Sequence, residues 1–187
     1  LPKTSFLFVG RLQTRKRLDI LISAFASYIK RSPNSPFLLE IVGDGPILTQ
    51  LNQLVSTLKV EDFVIFHKSS LDPSFLSHVF SRSIAYVSPG HVGLGVLHSF
   101  SFGVPVITFE LDTHAPEFYN ITHGKNGILL PPSESLLSDT LFFMTANRSY
   151  STKLGHNAFS TYQTEVSPDL MLQSFHNCIS FALSKCS

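Results

Sequence analysis

The feature that most constrains the fold is an alternation of two hydrophobic periods. Short apolar runs, rich in β-branched and aromatic residues, recur at "SFLFVG" (5–10), "PFLLEIVGDG" (36–45), "DFVIFHK" (62–68), "IAYVSP" (84–89), "VPVITF" (104–109) and "NGILLPP" (126–132). Each reads as a strand with little polar face, as in a sheet covered on both sides. Helical periods lie between them. In 17–31 the residues Leu18, Leu21, Ile22, Phe25, Tyr28 and Ile29 share one helix face. Segment 46–60 opens with Pro46 at a first-turn position, 72–83 is a shorter helix, and another starts at about Gly93. Strands separated by helices predict βαβ units, and so an α/β fold. The expected form is a Rossmann-like parallel sheet of about six strands with helices on both faces. Residues 134–184 continue as three helical segments. Phe175, Ile179 and Phe181 in the last are expected to pack back onto the body, because an exposed apolar face invites aggregation.

With 187 residues the chain is long enough for one domain with a sizeable core, taken as 1–187. Charged residues make up 14% and the formal net charge is +1, so no global field argues for nucleic acid or an anionic membrane. No apolar run reaches the ~18 residues of a spanning helix, and no signal-peptide pattern is present. Cys178 and Cys186 fall near the end of one helical segment, where they pair only awkwardly, so no disulfide framework is expected. A cytoplasmic setting follows, with peripheral contact at the inner membrane face left to the rest of the protein. The first strand starts about four residues into the chain, so a domain cut from a longer protein is expected. Two matches to the glycosylation sequon, at Asn120 and Asn147, are a number that chance supplies.

Ligands of such sheets bind at the carboxyl ends of the strands, which makes the loops after Val9, Val42, Phe66, Val87 and Ile107 the ones to read. The first, "VGRLQTRKR", sets Arg11, Arg15, Lys16 and Arg17 beside a helix N-terminus. Those charges oppose the helix dipole unless an anion joins them or solvent screens them. Gly10 allows a tight turn, and Arg11 and Lys16 are spaced to clasp a diphosphate. "IVGDGP" reads first as a turn. His67 and Lys68 follow the third strand as exposed loop residues or as a base-reading edge. "SPGHVGLG" removes side chains at Gly90, Gly93 and Gly95, and amides 92–94 are expected to face an anion there. His98 follows within side-chain reach, with Leu94, Leu97 and Phe102 able to form the apolar face instead. Glu117 either accepts hydrogen bonds from sugar hydroxyls or caps a short helix. The spacings of a dinucleotide fingerprint, a Walker loop, a nucleophile elbow and a His- or Cys-based metal site are all missing. No metal or other cofactor is therefore expected.

The order of these loops is more specific than any one of them. "FVGRLQTRKRLDILISAF", "LLEIVGDGPILTQLNQLV", "DFVIFHK", "SPGHVGLGVLHSFSFGVPVIT" and "PEFYNITHGKNGILLPP" together resemble the C-terminal, donor-binding domain of retaining GT-B glycosyltransferases of the family-4 type, over roughly residues 4–132. The resemblance implies a domain that binds a nucleotide-diphosphate sugar of UDP or GDP type. The sugar passes to an acceptor hydroxyl with retained configuration, as in hexosyltransferases of surface-polysaccharide synthesis. It implies Arg11 and Lys16 on the diphosphate and leaving group. It also implies a donor loop of Gly90, His91, Gly93 and Leu94, and base contacts near Phe66, His67 and Lys68. An N-terminal acceptor-binding domain is implied as partner, and the isolated half is then expected to transfer little.

The chain departs from the family pattern at two places. The family carries two glutamates in this element, and counting back from Gly103-Val104-Pro105 they fall at Gly90 and His98. His98 accepts through one neutral ring nitrogen where a carboxylate accepts twice. Glu117 is the candidate replacement. The missing carboxylates also support a second reading, a non-catalytic module of the same shape that serves as a partner subunit. A nucleotide-sugar epimerase, the third reading, lacks acid and base carboxylates in the right loops.

Overall fold

The computed structural model describes residues 4–185. Six parallel strands form one sheet in the order β3-β2-β1-β4-β5-β6. They are β1 (Ser5–Val9), β2 (Leu38–Val42), β3 (Val64–His67), β4 (Ser83–Val87), β5 (Val106–Phe109) and β6 (Gly127–Leu130). The order reverses between β1 and β4, which is where an open α/β sheet parts its loops to form a crevice. The expected fold class is the one observed, with most strand ends trimmed by one to three residues, several of them at Pro or Gly; β3 loses Asp62 and Phe63 to a 3-10 turn, and β4 starts one residue earlier than expected, at Ser83.

The connecting helices are α1 (Leu18–Arg31), α2 (Leu48–Leu58), α3 (Pro73–Ser81) and α4 (Gly95–Ser101). Helices α5 (Glu134–Ala146), α6 (Arg148–Thr161) and α7 (Pro168–Lys185) follow the sheet. Helix α1 buries Leu18, Leu21, Ile22, Phe25, Tyr28 and Ile29, the face its periodicity predicts. Phe6 of β1 meets Phe25 and Tyr28 edge-on, with ring centroids 6.3 and 6.1 Å apart. Each such ring is worth about 1.5–3 kcal/mol relative to exposure. Asp72 caps α3, its Oδ1 accepting from Ser74 N at 3.0 Å, with Pro73 in the first turn.

Two expectations need correction. Helix α4 begins at Gly95, not Gly93. It starts directly over Tyr86, where a Cβ on residue 95 would come within 2.5 Å of the phenol oxygen. And α7 does not pack back. None of its residues is buried, and Phe175, Ile179 and Phe181 stand 63%, 44% and 65% exposed. A five-residue π turn, Tyr162–Val166, and Pro168 carry the chain away from the sheet. Cys178 lies exposed on α7, and the paired cysteine considered for it, Cys186, lies outside the described residues.

Candidate functional site

The loops after β1 and β4 are joined by backbone. Gly90 N–H donates to Lys16 O at 3.1 Å and His91 N–H to Arg15 O at 2.8 Å. The Lys16 ammonium reaches back to the His91 carbonyl at 2.6 Å. The approach is so close that a Cβ on Gly90 would collide with the Arg15 carbonyl oxygen. Position 90 therefore holds no carboxylate for a steric reason: the glycine is what lets the two loops touch. Burial, reinforced by the neighbouring Arg15 charge, pushes the Lys16 pKa below its usual value. An anion beside it would reverse that shift. Two of the loop's other three cations find local partners, Arg15 on Gln13 at 3.0 Å and Arg17 on Asp19 at 3.7 Å.

Beyond this junction lie Gly93, half-buried, and Leu94, 72% exposed. Among the described residues neither of their amides has a protein acceptor. Val92 differs from the expectation for amides 92–94. Its N–H is taken by His114 Nδ1 at 3.1 Å, while His114 Nε2 donates to Phe109 O at 2.8 Å. On the same side, His91 Nδ1 and Glu117 Oε2 are buried polar atoms with no protein partner. Glu117 lies in a 3-10 turn, Pro116–Asn120. A Cβ added at Gly93 would meet Ala115 Cβ at 3.7 Å and the His91 ring at 4.0 Å, so the two segments lie close there. The His91 imidazole is held below its usual pKa by burial first, then by Lys16 and Arg15.

On the other side of β1 lies a cleft of about 570 Å³, walled by Gly10, Arg11, Asp44, Ser69, Ser70 and Leu71 among others. Of the expected residues only Gly10 and Arg11 line it. Phe66 and His67 end β3 as expected, but the cleft wall comes from the residues after them. Phe66 packs against the core. The His67 ring turns inward, its Nε2 paired with Glu40 Oε2 at 2.9 Å and its edge on Phe75. Glu40 is fully buried and also pairs with Arg82. Burial raises its carboxyl pKa, but bonds from Arg82, Ser5 and His67 outweigh that and leave the carboxyl below its ordinary value. The sequence carried a signal for this network, an acid in the middle of "LLEIV", since a buried charge requires a partner. His114 had no comparable signal.

His98 stands apart from the junction. Its ring packs at 5.1 Å from Phe80 and 5.4 Å from Phe102, which stack on each other. Burial lowers its pKa, so the ring is neutral at pH 7.

The model for "Glycosyl transferases group 1" matches residues 3–142. The chain belongs to that family. It is 36% identical over 134 residues to the D-inositol 3-phosphate glycosyltransferase of Acidothermus cellulolyticus, a match covering 66% of this chain and 29% of that one. The fold is shared with S. aureus TarM, solved with UDP, at a TM-score of 0.82 and 18% identity over 94% of this chain and 35% of TarM. Anabaena HepE, solved with UDP-glucose, gives 0.79 at 19% identity over 95% of this chain and 49% of HepE. The domain is thus a GT-B half with the expected Rossmann-like sheet. It spans about a third or less of the length of the curated relatives it matches first.

Proposed function

We propose that this domain binds the nucleotide-diphosphate sugar of a glycosyltransferase, and that a further, acceptor-binding domain completes the enzyme. The observation that carries the reading is the junction at the sheet's reversal. It brings a half-buried ammonium, Lys16, and two unclaimed amides, Gly93 and Leu94, to one rim, with the Arg11 guanidinium facing the adjoining cleft. An extended anion laid across β1 meets a cation or an amide at each phosphate. The nucleoside then enters the cleft beside Ser69–Leu71, and the sugar lies toward His91 and Glu117. Arg11, Lys16 and the amides stabilise the departing diphosphate, without a metal, as an acceptor hydroxyl takes its place on the anomeric carbon with retained configuration. UDP in the TarM crystal and UDP-glucose in the HepE crystal favour a uridine donor.

A non-catalytic module is the second reading, and one observation favours it. Both positions where the family carries glutamate are committed elsewhere: Gly90 to backbone contact and His98 to an aromatic stack. Calorimetric titration with UDP, GDP, ADP and UDP-glucose separates the two. Saturable binding of one base class, weakened at least tenfold in Arg11→Ala and in Lys16→Ala, supports donor binding, as charge-assisted bonds of about 1.5–3 kcal/mol are lost. No binding of any of them at millimolar concentration sinks it in favour of the module.

A further inference from the structure

His114 lies in the loop after β5, where the sequence assigned it no role, yet it is the most fully engaged imidazole in the site. Nδ1 accepts the Val92 N–H at 3.1 Å and Nε2 donates to Phe109 O at 2.8 Å. Phe118 stacks on the ring at 4.3 Å, with the planes 13° apart. Two bonds to backbone of opposite polarity specify one tautomer, neutral with the proton on Nε2. The Val92 bond is made in the donor loop itself, one residue before the unclaimed Gly93 amide. A second bond, Ala115 N–H to Val92 O at 3.1 Å, closes the bracket from the neighbouring backbone. Val92 is thus held at both its N–H and its carbonyl by residues 114 and 115. Between them they set where the Gly93 and Leu94 amides point.

We propose that His114 is a positioning residue for the donor loop, and that protonating it releases the loop and weakens binding of the sugar nucleotide. This rests on the donor-binding reading above. The physics is a conflict of donors. A proton on Nδ1 faces the Val92 N–H, so the bond cannot survive in the imidazolium form. The surroundings oppose that form as well. His91 lies across the donor loop with ring centroids 6.4 Å apart, and Lys16 from the first loop adds positive charge. Both ring nitrogens are spent on backbone, so neither Asp112 nor Glu117 on its own segment pairs with the ring. Burial is the largest cause of its lowered pKa, opposed by the Phe109 bond and assisted by Lys16. The clamp is therefore intact above the ordinary histidine value, about 6.5. It is lost as the pH falls from there through the depressed folded value.

The test pairs a readout without ligand with one that uses UDP-glucose. That probe is a diphosphate diester with no group titrating between roughly pH 5 and pH 8, so any change belongs to the protein. In the free protein, nitrogen-15 spectra should show a neutral ring with its proton on Nε2 at neutral pH, and Val92 N–H should exchange more slowly than Gly93 N–H. A ring protonated on Nδ1 at that pH overturns the clamp. The wild-type affinity for UDP-glucose should fall as the pH drops from about 8 to 5, by up to about tenfold, the size expected for one hydrogen bond and its alignment. Most of that fall should vanish in His114→Asn, which keeps an acceptor near Nδ1 but does not titrate. His114→Phe keeps the stack on Phe118 without the bonds, and should bind about tenfold more weakly than wild type at about pH 8, converging on the wild type at about pH 5, while melting as a folded protein. Equal pH profiles for wild type and His114→Asn, with binding intact, overturn this inference alone. No UDP-glucose binding at any pH overturns the donor reading beneath it.

Discussion

The two flanks of β1 are built differently. On the β4 side the loops are joined backbone to backbone, with Gly90 and His91 donating to Lys16 and Arg15, and Val92 bracketed by His114 and Ala115. On the β3 side an open cleft is walled by exposed short side chains and by Leu71, which is 91% exposed. A precise flank suits the part of a ligand that is always the same, a diphosphate. An adaptable flank suits a part that varies between donors. The difference implies that substitutions in the joined flank cost folding stability first, and those in the open flank cost ligand affinity alone.

Gly90→Ala tests the joined flank most severely. The new methyl meets the Arg15 carbonyl, a backbone atom with no free rotation, and two loop hydrogen bonds must stretch. Overpacking and the lost bonds together should cost about 3 kcal/mol. Thermal melting would then fall by roughly 6–12 °C for a chain of this size. A change below about 0.5 kcal/mol would mean that the loops separate freely, and the contrast between the flanks would collapse. A smaller effect is expected for His98→Glu, which restores the family carboxylate. Its charge would enter the stack of Phe80 and Phe102 without a partner, costing about 1–2 kcal/mol in urea unfolding at pH 8. If the variant instead gained UDP-glucose affinity at unchanged stability, His98 would face the ligand and not the stack.

The same flank should show a pH signature in folding. His91, His98 and His114 all have pKa values below the ordinary value, burial being the first cause in each. The unfolded chain therefore binds more protons than the folded one just below about pH 6.5. The stability these groups give is complete above that pH and drains away as the pH falls through their folded values. Urea midpoints measured from about pH 8 down to pH 5 should decline from about 6.5 downward, and less steeply in His114→Asn.

Much of the fold was legible because periodicity is a local property. The buried face of α1 and all six strands follow from spacing that any window of the chain contains. The site was legible only in outline. Arg11 and Lys16 were placed by their loop, but the meaning of Gly90 lies in a contact with residues more than seventy positions earlier, which no local pattern records. His67 was read as an exposed loop residue or a base-reading edge, and it is neither: it turns inward because Glu40, on the neighbouring strand, claims it. Helix α7 teaches the complementary point. Its apolar spacing announces a helix, yet spacing does not say what covers it, and in this chain Phe175 and Phe181 face solvent. Residues touching the same sequence neighbours can thus have opposite fates, decided by partners far along the chain.

The smallest predicted effect concerns the entrance to α1. Arg17 adopts φ 52° at the helix N-cap, a left-handed conformation in which a side chain is strained and a glycine is not. Its ion pair to Asp19 is solvent-exposed and contributes little. Relief of the strain exceeds the extra chain entropy of glycine, so Arg17→Gly should stabilise the fold by about 0.5–1 kcal/mol. Arg17 neither lines the cleft nor joins the loops, so UDP-glucose affinity should stay within about twofold. The matched substitution in the open flank, Leu71→Ser, should give the inverse pattern: unfolding midpoints within about 0.5 kcal/mol of wild type, and UDP-glucose affinity lowered several-fold as apolar contact with the nucleoside is lost. If Leu71→Ser destabilised the fold while Arg17→Gly weakened the ligand, the division of labour between the flanks would be the wrong way round. The diphosphate would then have to be sought in the cleft, and the nucleoside at the β1–β4 junction.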